Sequence, residues 1–185
     1  MPTPSETPQP ALDLPRPALD GLDARKLTVL RDEGFVVFLI GARVNKWWML
    51  PVLWGVARAF ARMTRELQAD PESGLLASES YGGRTTLTVQ YWRSLEHLQR
   101  YAHARDREHV PAWRRWVEKW GLTAAMGIWH ETYVVEPGTY ECLYQHMPPF
   151  GLGRVGPRVP ATGPLSHARG RLAAGQRTVV VAQSA

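Results

Sequence analysis

Residues 87–92 (LTVQYW), 93–102 (RSLEHLQRYA), 109–116 (HVPAWRRW) and 127–133 (GIWHETY) decide how this chain folds. They read in turn as a strand, a helix, a second helical run and another strand. A strand–helix pair precedes them, VVFLIGARVN at 36–45 and then PVLWGVARAFARMTREL at 51–67. Between the two halves, Gly82-Gly83 marks a hairpin joining 75–81 to 84–92. The resulting order is β-α-β-β-α-β. It predicts an α+β domain, an antiparallel sheet with helices on one face, enclosing an apolar pocket rich in Trp, Tyr and His.

Local patterns sharpen this. Phe35 to Ile40 is an unbroken apolar run, so both faces of that strand are expected to be covered. Helices can cover one face. The other calls for a second copy of the same sheet, which predicts a homodimer. In the first helix Val52, Val56, Phe60, Met63 and Leu67 form one apolar stripe. Pro51 suits its first turn, and Asp70-Pro71 ends it because the residue before proline resists the α region. In the later strands Leu87, Val89 and Tyr91 share one face and Thr88, Gln90 and Trp92 the other. Likewise Ile128, His130, Thr132 and Val134 stand against Trp129, Glu131, Tyr133 and Val135. Ser94 is a good N-cap for the second helix.

The chain has 185 residues, enough for one domain with flexible ends. Residues 1–30 read as a disordered or extended arm, 31–147 as the domain, and 148–185 as an irregular tail with at most a short strand at Thr178–Val181. Hydrophobic (44%) and charged (21%) fractions are ordinary for a globular protein. The formal charge of +5 is mostly Arg spread at helical spacing, without the Lys/Arg blocks of nucleic-acid arms. Cys142 is the only cysteine, which rules out an intrachain disulfide. The N-terminal stretch has neither a basic leader nor an apolar core, and no apolar run is long enough for a membrane span. These features predict a cytoplasmic protein with no nucleic-acid partner and no membrane span.

Motifs with a fixed chemistry are missing. The glycine pairs lack the strand–turn–helix setting of a phosphate loop, and no His/Cys spacing suits zinc. The candidates are therefore His109, His130 and the aromatic residues. His130, in a strand expected to be central, is either a core histidine bound to a neighbouring carbonyl, a pocket base, or an iron ligand. His109 stands at a helix start, as a solvated cap or at a pocket mouth. Trp92, Trp113, Trp116 and Trp129 read first as core, and their density suits a large, flat, hydrophobic ligand.

Taken together, VVFLIGARVNKWW, RMTRELQADPESGLL, VQYWRSLEHLQRYA, HVPAWRRW, GIWHETYVV and YECLYQHMPPFGLG resemble a bacterial and fungal family named after a monooxygenase-like member of the fumagillin pathway. The resemblance runs from about Gly34 to Gly153. It implies the ferredoxin-like fold of the dimeric α+β-barrel superfamily. That superfamily includes cofactor-independent monooxygenases, haem-degrading enzymes, haem-dependent aldoxime dehydratases and proteins without known catalysis. Its cofactor-independent members act on substrates that can be deprotonated and pass an electron to oxygen. By this resemblance Asn45, after the first strand, and Trp92 correspond to polar and aromatic pocket residues.

Three functions follow as expectations. The first is a monooxygenase-like oxidoreductase of secondary metabolism acting on an aromatic or terpenoid molecule, with His109 or His130 as base and Asn45 polarising a substrate oxygen. Tyr91, Trp92, Trp113, Trp129, Tyr133 and Trp47 would line its pocket. The second is a haem-binding protein or haem enzyme, the third a non-catalytic binding module. The cofactor is accordingly expected to be none or haem, with no further metal.

Overall fold

The computed structural model describes residues 22–103 and 124–183. Their regular elements are, in order, β1 (Leu27–Val29), β2 (Phe35–Val44), α1 (Leu50–Ala69), β3 (Leu75–Tyr81), β4 (Leu87–Trp92), α2 (Leu95–His103), β5 (Met126–Val135), β6 (Arg158–Pro160) and α3 (Ala168–Gln183). β2 to β5 form one antiparallel sheet in the order β3-β4-β2-β5. This is the α+β, ferredoxin-like βαββαβ arrangement that the sequence predicts. No helix among the described residues is long and apolar enough to cross a membrane.

The breaks between elements follow from local chemistry. Past α1, the Asp70 carboxylate accepts the Glu72 N–H at 3.0 Å, and the Ser73 hydroxyl donates to the Leu67 carbonyl at 2.8 Å. Gly74 then takes φ +79, and a Cβ there would sit 2.4 Å from the His97 ring, so only glycine fits. Ser94 caps α2 as expected, its hydroxyl 2.9 Å from His97 Nδ1 and accepting the His97 N–H at 3.4 Å.

On the helix side, Val36, Leu67, Trp92 and Leu98 form the buried centre, with Phe38, Leu75, Leu95 and Tyr101 packed against it. The face pattern read from the strands holds: Phe38 lies opposite Gln90 on β4 and Thr132 on β5, and Ile40 opposite Thr88 and His130. One expectation fails here. β5 is an edge strand rather than a central one, and His130 is exposed.

The other face of the sheet corrects the argument from continuous apolarity. Phe35, Val37, Tyr91 and Val135 are covered by the chain itself, through Val29, Tyr140, Cys142, Tyr144, Leu152 and Val155. Three tyrosine hydroxyls fasten this cover. Tyr140 accepts the Arg31 N–H at 2.8 Å and Tyr144 the Gly153 N–H at 3.1 Å, while Tyr91 is hydrogen-bonded by the Leu152 backbone. Burial pushes all three phenols above the ordinary tyrosine range, Tyr144 furthest. No second copy is needed over this half.

The expected ends also differ. β1, placed in the supposed arm, pairs with β6, placed in the supposed irregular tail, and Thr28 between them is fully buried. Residues 168–183 are helical, so the short strand expected at Thr178–Val181 is part of α3. α3 is held by Arg171, which bonds Glu141 Oε2 through Nε and Nη2 at 2.7 Å each. Gly175 packs on Gly138, leaving no room for a side chain. Sequence patterning missed this region because its Gly, Pro and Arg content disguises elements held by specific contacts rather than by an apolar stripe.

Candidate active site

A cavity of about 140 Å³ lies between the helix side of the sheet and the two helices that follow β2 and β4. Phe38 and Ile40 come from β2, Gln90 from β4, Phe60, Met63, Thr64 and Leu67 from α1, and Leu98, Tyr101 and Ala102 from α2. The α1 stripe thus does what its spacing predicts in Phe60, Met63 and Leu67: it turns toward the sheet. Among the described residues the lining is almost wholly hydrocarbon, and none of them carries a charge at neutral pH. Its size suits one six-membered ring, since engineered apolar cavities of about 150 Å³ hold benzene.

Among the polar groups of this lining is Gln90, only 5% exposed. Its side-chain oxygen accepts the Trp92 indole N–H at 3.1 Å. Trp92 is completely buried, with its ring 5.7 Å from that of Tyr101. It therefore stands behind the cavity and orients Gln90, rather than lining the wall as expected. Beside Gln90 in the register is Ser78, whose buried hydroxyl has no hydrogen-bond partner.

The sequence-predicted residues do not converge. His130 shares the helix-side face, its ring 5.8 Å from Phe38, but stands outside the lining. Tyr91, Trp129 and Tyr133 point to the opposite face: Tyr91 into the self-covered half, Tyr133 half exposed with its hydroxyl donating to Glu131 at 2.6 Å. Trp129 lies across from Gly41, where a Cβ would come within 2.7 Å of the indole nitrogen and 1.9 Å of the Thr86 carbonyl. Asn45 is exposed and donates to the Ala124 carbonyl at 3.0 Å, a clamp on the loop into β5. Trp47 is 77% exposed. His109, Trp113 and Trp116 lie outside the described residues.

Gln90, Phe38 and Tyr101 are the site residues that sequence reading passed over. A signal existed for Gln90. It is an amide on the face of β4 that also carries Trp92 and meets the helices. No group of three His, Cys, Asp or Glu able to hold a metal occurs among the described residues. Haem does not fit the cavity described: its volume suits a single ring, and no histidine is among its described lining residues.

All of the described lining residues, Phe38 to Ala102, fall inside residues 35–152, the segment that matches the family described as monooxygenase af470-like. This chain belongs to that family. A relative, monooxygenase af470 of Aspergillus fumigatus, is 30% identical over 128 residues, which are 64% of this chain and 45% of that protein. The chain thus spans less than half the length of this family relative. Among solved structures, an aldoxime dehydratase (OxdRE) in complex with butyraldoxime aligns over 90% of this chain and 47% of its own, with TM-score 0.60 and 14% identity. That likeness shows the shared α+β fold. SnoaB, a cofactor-independent oxygenase from Streptomyces nogalater, aligns over 54% of this chain and 91% of its own at TM-score 0.37 and 14% identity.

Proposed function

We propose that this member of the monooxygenase af470-like family oxidises a hydrophobic small molecule, aromatic or terpenoid, in the cavity between the sheet and α1 and α2. One observation carries the reading. The described walls of the cavity are uncharged and come from the family-matching segment, and the buried Gln90 amide can fix a ligand's orientation. A conversion that suits such a wall starts from a methylene acidified by its neighbours. With one dioxygen molecule it gives a ketone and one water: two C–H bonds break and a C=O bond forms. The substrate supplies all four electrons, one oxygen atom enters the product and the other leaves as water, so the stoichiometry closes without an added reductant. A single ring fills the cavity as described; a polycyclic substrate requires α1 and α2 to part.

Among the described residues, His130 is the candidate base that shares the cavity's face of the sheet. His109 keeps the same candidate role. Asn45 would steady the entry to β5 rather than polarise a substrate oxygen. The homodimer is proposed on a reduced footing, through the half of the sheet's outer face that the tail leaves open, where Tyr133 is 50% and Tyr81 43% exposed.

Oxygen uptake with a panel of phenols, anthrones and cyclic ketones tests the function. Uptake should depend on substrate and fall in Phe60→Trp, which fills the cavity. No uptake across the panel, with no binding of any member, would remove the reading. Sedimentation of the intact chain tests the dimer, which a monomer at micromolar concentration would exclude.

A further inference from the structure

Gln90 has an orientation that its neighbours fix. An indole N–H can only donate, so the Gln90 atom facing Trp92 must be the amide oxygen and not the nitrogen. The amide nitrogen, with its two N–H donors, is then left over. Among the described residues nothing accepts from it, although Gln90 is 95% buried, as its 5% exposure implies. Nor does the Ser78 hydroxyl, at the paired position on β3, find a partner. Gln90 lines the cavity, so a ligand that fills it without offering an acceptor would leave the amide donors buried and unpaired, at a cost of about 1–3 kcal/mol. The other described lining residues are hydrocarbon apart from Thr64 and the Tyr101 phenol, which leaves the amide as the polar landmark of the sheet-side wall.

We infer that Gln90 is a dedicated hydrogen-bond donor for a ligand oxygen, held in that role by Trp92, and that the cavity selects uncharged ring compounds bearing a carbonyl or similar acceptor. Trp92 is a positioning residue and Gln90 a specificity-determining one. This rests on the cavity being the ligand site, as proposed above. A cationic ligand finds no counter-charge among the described lining residues. A purely hydrocarbon ligand leaves the amide unpaired, and sites built around a hydrogen bond discriminate strongly against ligands that lack it.

The test compares acetophenone with α-methylstyrene, which has a methylene group in place of the carbonyl oxygen. Affinities of both for the full chain are measured by equilibrium dialysis, in wild type and in Gln90→Leu. The acetophenone-to-methylstyrene ratio should fall by about tenfold in the variant, the size of one good hydrogen bond. Because that variant also strips Trp92 of its acceptor and can fail to fold, the infrared carbonyl stretch of acetophenone bound to wild type gives a second readout. It should lie below its position in hexane. Binding of both probes with an unshifted stretch, or an unchanged ratio in folded Gln90→Leu, overturns the donor assignment and leaves the cavity standing. Failure of both probes to bind overturns the cavity and the donor together.

Discussion

Replacing Arg171 with alanine should release α3 from the rest of the domain. The side chain is 6% exposed and makes four bonds: two at 2.7 Å to Glu141 Oε2, and others at 3.0 and 3.2 Å to the Leu165 and Ser166 carbonyls. Removing one partner of a fully buried pair costs about 3–5 kcal/mol, mostly through the charge left stranded. Here the stranded group is only half-protected, since the Glu141 side chain is 34% exposed, and the two carbonyls sit in a short turn with water at hand. The expected loss is therefore smaller, about 2–3 kcal/mol. Urea unfolding followed by circular dichroism measures it, as a midpoint lowered by about 1 M. Hydrogen exchange locates it: amides of α3 should speed up by a larger factor than those of β2 and β4. Glu141→Gln should cost less, because the guanidinium keeps both carbonyls and a neutral acceptor. A loss below about 0.5 kcal/mol in Arg171→Ala, or uniform exchange across the sheet, would refute the view of Arg171 as the anchor.

Gly175→Ala places its Cβ 2.8 Å from the Gly138 Cα, against backbone that cannot swing aside, and should cost about 1–3 kcal/mol in the same unfolding assay. Ser94→Ala should cost about 1 kcal/mol through loss of the α2 cap, with calorimetry showing a lower Tm. Stability should hold steady up to about pH 10 and then decline as pH rises. Tyr91, Tyr140 and Tyr144 keep their protons in the folded state after the unfolded chain has lost them, so alkali favours unfolding. Urea titrations from about pH 8 to 11 check the sign, and Tyr144→Phe should flatten the decline.

The central sheet was legible because its information is periodic. Alternation in LTVQYW and GIWHETYVV assigns faces, and the stripe Phe60–Met63–Leu67 assigns the helix side, without any knowledge of partners. What covers each face was not legible. The apolar run Phe35–Ile40 says that water is kept off, yet the same run serves whether the cover is a second sheet or the chain's own Tyr140–Val155. Nor did residue chemistry locate the site. Histidine and tryptophan draw the eye, but register puts Trp129 and Tyr133 behind the sheet, while a glutamine reached the cavity wall through its place two residues before Trp92.

The flap of chain fastened by three phenols has a practical consequence at the family boundary. Residues 35–152 are the segment shared with relatives, but Val29 and Val155, which help shelter Phe35 and Tyr91, and the β1–β6 pair that holds Val29 lie beyond it on either side. Trimming the protein to its shared segment would remove Val29 and Val155 and leave Tyr140, Cys142, Tyr144 and Leu152 as a cover with open edges. Such a fragment should be less stable than the full chain, so homology alone marks the wrong place to cut.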